Sequence, residues 1–341
     1  EIRSETETLD DLHAVMLSIR RFKRRETLRI AFGDIVREHS LEIVTRQISY
    51  LADAICEAAF HAAWRSLVKQ RGIPRGPDKN PARFVVLGFG KLGGTELNYS
   101  SDIELMFLYN VDGKTDGERA TSNAEFFEQL AHSFARLLQE PTELGIAYGL
   151  DLRLRPEGSQ GLKVTHVDRA IDYYDIHGRT WERQALMKAR PIAGNHDLGQ
   201  EFLNRLQPWI YRRYLNRADI TGIKALKRRI ERLAVRDAND LRDVKTGHGG
   251  LRDIEFVIQF LQLLHGGDLP QVRTGNTLEA IAALEQVGCL NMQERSRLET
   301  NYRFLRQIEH RLQILFDLQT HTFPEDETEL TKLARSTGYE N

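Results

Sequence analysis

The chain has 341 residues, of which 41% are hydrophobic and 28% charged, with a formal net charge of -1. That length allows a sizeable core in two or three packed units, and the near-neutral balance argues against a protein that coats nucleic acid, leaving room only for a local basic cleft. Cys56 and Cys289 stand far apart, outside any CxxC pattern. This argues against a disulfide scaffold or zinc site and suits a reducing cytoplasm. No apolar run approaches a membrane span, and no signal peptide opens the chain. It begins at Glu1 rather than methionine and breaks off at Asn341, so the expectation is a piece of a longer protein.

From the N-terminus, residues 7–70 read as helix. Leu12, Met16, Ile19 and Phe22 recur at helical spacing, and Ile43, Ile48, Leu51, Ala52, Ile55 and Ala59 form a second apolar stripe. The basic run from Arg20 to Arg25 reads as a solvated helix face. Residues 71–81 are dense in Pro and Gly and mark a linker, hence a boundary near residue 80. Strands are expected at Phe84–Leu87, Ile103–Tyr109 and Ile146–Leu154, with a helix over 122–139 that carries Phe126, Phe127, Leu130, Phe134 and Leu138 on one side. From about residue 166 the pattern is helical again. Its stripes are Leu203, Leu206, Ile210; Ile254, Val257, Ile258, Leu261, Leu264; and Tyr302, Leu305, Ile308, Leu312, Leu315. The basic stretch Lys224–Arg232 reads as another solvated face. The architecture expected is α+β and mostly helical: a helical region (1–80), a small α/β domain (81–195) and a C-terminal helical bundle (196–341).

Chemistry concentrates after the first strand. Gly88, Gly90 and Gly93 satisfy GxGxxG, but strand-like sequence resumes at Asp102, too soon for the crossover helix of a dinucleotide fold. Along the strand that follows, Asp102 and Glu104 point to one face and Ile103, Leu105 and Phe107 to the other. Leu150-Asp151-Leu152-Arg153-Leu154-Arg155 alternates too, and if the strands pair, Asp151 can stand beside the other two acids. Such a set suits magnesium, which prefers oxygen ligands and shares them with substrate phosphate. Two such ions can clamp an in-line phosphoryl displacement. The bland reading is solvent-facing acids and arginines in surface salt bridges.

Gly93-Gly94, then Ser101-Asp102-Ile103-Glu104, then Asp151 on a later strand, resembles the DNA polymerase β nucleotidyltransferase superfamily. The longer runs Gly88–Leu97, Asp151–Gly158, Trp181–Arg190 and Lys245–Phe256 are similar to the glutamine synthetase adenylyltransferase family, whose long bifunctional members carry two catalytic halves. The resemblance covers about residues 84–324. It implies a polymerase β-like catalytic domain between two helical regions. Asp102, Glu104 and Asp151 become the metal ligands, for two Mg2+ ions or Mn2+, and Gly93, Gly94 and Ser101 the nucleotide-phosphate turn. Lys91, Arg153, Arg155, Lys188 and Arg190 are candidate anion contacts by charge and placement. Glu157, Lys188–Pro191, Glu309–Gln313 and Gln319–Thr322 favour the half that removes AMP from a tyrosine of glutamine synthetase, using phosphate and giving ADP. The opposite reaction, AMP transfer from ATP, is the first rival. A silent module docking glutamine synthetase or a PII signalling protein is the second. Glu104 stands where the family more usually has aspartate.

Three features stay secondary. Gly247-His248-Gly249-Gly250 is either an anion site at a helix start or a simple tight turn. His248 and His310 read as structural rather than catalytic. Trp181 reads as core.

Overall fold

The computed structural model describes residues 1–212, 221, 242–316 and 320–339. The basic stretch expected at 224–232 and Gln319 lie outside the described residues. Three helices open the chain, α1 (Ile2–Glu7), α2 (Leu12–Ile35) and α3 (Leu41–Arg71). Asp11 starts α2 by accepting from the amides of His13 and Ala14, and Gly72, at φ +82°, ends α3. Ile48, Leu51, Ala52, Ile55 and Ala59 are buried as the stripe on α3 requires, while Ile43 is exposed.

The run Arg20–Arg25 is not a free solvated face. Arg20 is 1% exposed. Its guanidinium donates to the carbonyls of Met16 at 2.9 Å, Leu137 at 3.1 Å, Glu140 at 2.6 Å and Gly145 at 2.7 Å. Lys23 donates to the Ala147 carbonyl and sits 4.0 Å from the centre of the Tyr148 ring. Arg24 reaches the Leu144 carbonyl at 3.0 Å. The run therefore gathers the carbonyls left open where a later helix ends and the chain turns back.

Next come β1 (Pro74–Arg75), β2 (Phe84–Gly88), the single turn α4 (Gly90–Gly93), β3 (Ile103–Tyr109), β4 (Lys114–Thr115) and α5 (Asn123–Gln139). After them are β5 (Leu150–Asp151), β6 (Val164–His166), α6 (Val167–His177), α7 (Thr180–Leu186), β7 (Arg190–Gly194) and α8 (His196–Ile210). β1 and β4 form a separate ribbon. The main sheet is mixed, in the order β5-β3-β2-β7, and β6 takes the stretch of β3's edge beyond β5. β2 and β3 run antiparallel, joined by one helical turn, so the glycines open no dinucleotide crossover.

The sheet is the middle of three layers. Phe84, Val86, Ile103, Leu105 and Phe107 pack with α2, α3 and α5. Val85, Leu87, Met106 and Leu108 pack with α6 and α8. Residues before and after the Pro/Gly-rich turn at 71–81 enter the first of these cores together. The strand expected over 146–154 is cut to Leu150–Asp151. Arg155 ends it by folding back onto the carbonyls of Leu152, Ser159 and Gly161. Leu152 then packs on one side of the sheet and Leu154 on the other, so the alternation stops. β7 escaped the helical reading of that region because Pro191 and Gly194 mask a short edge strand.

The C-terminal part contributes α9 (Leu251–His265), α10 (Thr277–Gln286), α11 (Met292–Phe316) and α12 (Glu327–Ser336). Ile254, Ile258, Tyr302, Ile308 and Leu312 are buried, and Val257 and Leu315 are exposed. Trp181, expected in the core, is only half-buried. The α+β, mostly helical class is as expected. Among the described residues no helix is long and apolar enough to cross a membrane.

Arg20→Ala should lower stability by about 1–3 kcal/mol, because it strands buried carbonyls. Arg21→Ala, on the exposed side, should stay within about 0.5 kcal/mol. Urea midpoints of the two variants check this.

Candidate active site

β3 and β5 are parallel, and their register sets Glu104 opposite Asp151. Asp102 lies just before β3, two residues from Glu104 and so on its side of the strand. All three line one cavity of about 420 Å³, together with Gly90, Lys91, Ser101, Arg153, Lys188, Lys245, Arg252, Glu255 and Gln259. Two glycines make room for the acids. A Cβ on Gly90, whose φ is +52°, would stand 1.8 Å from Glu104 Oε2, and one on Gly149 would stand 2.0 Å from Asp102 Oδ1.

The carboxyls of Glu104 and Asp151 are shifted in opposite directions. Burial, and then the neighbouring Asp151, push the Glu104 carboxyl above its ordinary value. Asp151 moves the other way, because Arg153 holds it with a fork of hydrogen bonds at 2.6 and 3.0 Å. The donor set suits a hard divalent cation by chemistry. As the side chains lie, no group of His, Cys, Asp or Glu among the described residues is arranged to hold a metal ion. Asp151 would have to leave Arg153 to join one.

Of the residues expected at the site, Lys91, Ser101, Arg153 and Lys188 reach this cavity; Arg155, Arg190, Gly93 and Gly94 do not line it. Arg155 is buried and spent on backbone carbonyls. Arg190 forks onto Asp53 of α3 at 2.8 and 2.9 Å. Gly93 and Gly94 line a separate cavity beyond the loop. Their amides are taken by the carbonyls of Phe89 and Gly90, which leaves them no donor for a phosphate. Gly93 is required by packing, since a Cβ there would lie 1.8 Å from the Lys188 carbonyl. Lys188 is buried against Glu96; burial opposes its charge, yet Glu96 and Glu255 together more than offset this and its pKa is raised.

What fixes the loop is a polar stripe on α11 that the apolar pattern did not reveal. Tyr302, Arg306, Glu309, His310 and Gln313 recur at helical spacing and are all buried. Arg306 donates to the Glu96 carbonyl at 2.6 Å, to Asn98 Oδ1 at 2.5 Å and to the Tyr302 hydroxyl at 2.9 Å. The Tyr302 hydroxyl donates to Glu96 Oε2 at 3.2 Å, and Lys91 donates to Glu309 at 3.0 Å. The Ser100 amide donates to Gln313 Oε1 at 3.0 Å. Burial works against the charge of Glu309, but Lys91, His321 and Arg306 hold its carboxyl well below the ordinary value. Burial, then Arg306, depress the His310 pKa, so this ring stays neutral against Asn98 and serves structure. The one sequence signal was charge at i, i+3 and i+4 beside an apolar stripe.

The turn before α9 resolves as a turn. The amides of Leu251, Arg252 and Asp253 go to the carbonyls of Val244, Lys245 and Gly250, and none is left for an anion. His248 is exposed, 3.7 Å from Asp253. Lys245, Arg252, Glu255 and Gln259 bring this segment to the cavity. The family-like motif covered the first three, but no role in the site was expected of them.

Residues 1–205 match the family model described as glutamate-ammonia ligase adenylyltransferase, and residues 224–341 match that of GlnD PII-uridylyltransferase. The chain is similar to the bifunctional glutamine synthetase adenylyltransferase/adenylyl-removing enzyme of Thioalkalivibrio sulfidiphilus, 38% identical over 100% of this chain and 35% of that protein. The enzyme of the same description from Pseudomonas aeruginosa is 37% identical over 99% of this chain and 35% of its own length. That from Xanthomonas oryzae is 37% identical over 94% of this chain and 34% of its own length. The chain thus spans about 35% of the length of the curated relatives it matches.

Arg306→Met should destabilise the fold by about 3–5 kcal/mol, because it leaves buried carboxylates without their cation. Denaturant midpoints measure it. Glu309, depressed in the folded state, contributes stability that is complete above the ordinary 4.5 and is lost as pH falls below that value. Glu309→Gln should therefore show a flatter loss of stability with acid than the parent chain.

Proposed function

The chain belongs to the glutamate-ammonia ligase adenylyltransferase family, and on that footing we propose that it removes AMP from an adenylylated tyrosine of glutamine synthetase by phosphorolysis. An oxygen of inorganic phosphate forms a bond to the AMP phosphorus, the bond from that phosphorus to the tyrosine oxygen breaks, and ADP and the free tyrosine result. The leaving phenolate takes up a proton. With a pKa near 10 it departs more readily than an alkoxide and needs little help from a general acid. Positioning and charge stabilisation then supply most of the rate.

The observation that carries this reading is the register of β3 and β5, with Glu104 beside Asp151 and Asp102 in the same cavity. Asp102, Glu104 and Asp151 would hold the divalent cations, two Mg2+ or Mn2+, which when bound offset charge on the transferring phosphoryl group. Ser101 would orient that group beside Asp102, and Gly90 keeps the floor of the cavity open for it. Arg153, exposed at the cavity mouth, would follow the phosphate once Asp151 turns inward. The similarity of residues 224–341 to a PII-uridylyltransferase model supports a PII signalling protein as regulator of the larger enzyme. We place the chain in the cytoplasm with its substrate protein.

ATP-dependent AMP transfer onto the same tyrosine remains the second reading, since the relatives' printed names carry both activities. Incubation with AMP-modified glutamine synthetase separates the two: phosphate-dependent ADP release is expected, and labelling from ATP without it contradicts the proposal. Asp102→Asn should reduce ADP release to background with its melting temperature retained. Near-normal release by that variant at matched magnesium would refute the assignment of Asp102. Partner binding without any AMP chemistry, indifferent to magnesium, would point instead to a docking module.

A further inference from the structure

The cations around the acidic cavity fall into two groups. Lys91, Arg153 and Lys188 already face a carboxylate: Glu309 at 3.0 Å, Asp151 at 2.6 Å and Glu96 in direct contact. Lys245 and Arg252 do not. Among the described residues neither forms an ion pair with a carboxylate, Glu255 on the same cavity included. Among the described residues the Lys245 ammonium has one side-chain hydrogen-bond partner, His321 Nε2, at 3.5 Å.

Their placement is built rather than incidental. Asp243 Oδ1 accepts the amides of Lys245 and Thr246, both at 2.8 Å, which fixes the turn. The Arg252 amide then donates to the Lys245 carbonyl at 3.0 Å, so residues seven apart in sequence stand side by side. Gly249, at φ +76°, permits the chain reversal between them. Lys245 is half-buried; burial, then Lys91, disfavour its charge, and Glu309 and Glu255, which favour it without forming an ion pair with it, do not make this up. A partly buried cation held by no direct ion pair gains from an anion that completes it. The sheet side of the cavity meanwhile carries Asp102 and Glu104, and among the described residues no basic side chain is hydrogen-bonded to either. Acids on the sheet thus share the cavity with Lys245 of the turn before α9 and Arg252 of its first turn, neither in an ion pair.

We propose that Lys245 and Arg252 form the binding site for the attacking inorganic phosphate, holding its oxyanion across the cavity from Asp102, Glu104 and Asp151. This rests on the phosphorolytic reading above and adds to it the residues that recognise the nucleophile. The guanidinium offers a fork matched to two phosphate oxygens, and the ammonium a third contact. The C-terminal helical part then supplies half of the active site.

The test uses the whole chain, with Lys245→Gln, Arg252→Gln and Arg252→Lys. Inorganic phosphate binding is followed by calorimetry, the KM for phosphate by ADP release, and Mn2+ affinity by electron paramagnetic resonance. Each glutamine variant should weaken phosphate binding and raise its KM about 10–100-fold, the loss expected for a charge-assisted hydrogen bond, with Mn2+ affinity unchanged. Arg252→Lys should fall between, since it keeps charge and loses the fork. Unchanged phosphate binding in any one folded glutamine variant overturns the inference, as does a parallel loss of Mn2+ affinity. Phosphate binding that depends on both residues in a chain without phosphorolysis would uphold the site and refute the function. Phosphorolysis with an unaltered KM for phosphate would do the reverse.

Discussion

The acidic cavity depends on Arg306. This buried guanidinium binds the Glu96 carbonyl, Asn98 Oδ1 and the Tyr302 hydroxyl, and so ties α11 to the loop between β2 and β3. That loop has no regular structure after α4, and its buried apolar anchors there are Leu97 and Tyr99. Arg306 fixes its course through Glu96 and Asn98, and the Ile103 amide, donating to the Gly149 carbonyl at 2.9 Å, sets its end beside β5. A buried ionic network of this kind adds little net stability by itself, because desolvation opposes the Coulombic gain. Its value here is geometric: Arg306 bonds the Glu96 carbonyl, Asn98 Oδ1 and the Tyr302 hydroxyl at once, which sets helix and loop against each other.

The same logic explains the charge balance. Glu309, Glu96 and Asp151 engage Lys91, Lys188 and Arg153, which removes these three cations from competition. What remains is a sheet edge with Asp102 and Glu104, and Lys245 and Arg252 on the turn before α9 and its first residues. A divalent cation and a phosphate, bound together, would neutralise both sides at once. Burial, and then the neighbouring Asp151, raise the Glu104 carboxyl.

Much of this was legible in the sequence, for identifiable reasons. A short, nearly continuous apolar run found Ile103–Tyr109 to the residue, and helical spacing found α5 and most of the stripe on α3. The acids were legible because residues two apart on a strand share a face, and the register then placed Asp151 beside them. Patterning failed where side chains serve the backbone. Arg155 ends a strand that alternation would have continued, and Arg20 is buried to cap carbonyls from α5 and the turn after it. It failed again at the stripe on α11, because a buried polar face looks like a solvated one until its partners, more than 200 residues away, are known. Gly93 and Gly94 carried a phosphate-loop look, yet their amides are already bonded within the turn.

The account stands or falls on whether Asp102, Glu104 and Asp151 act together on a cation. Crystals grown with Mn2+ and phosphate, read by anomalous scattering, address that directly. The account predicts manganese density between these carboxylates, with Asp151 released from Arg153. Manganese bound elsewhere, with the Asp151–Arg153 fork intact, would contradict it.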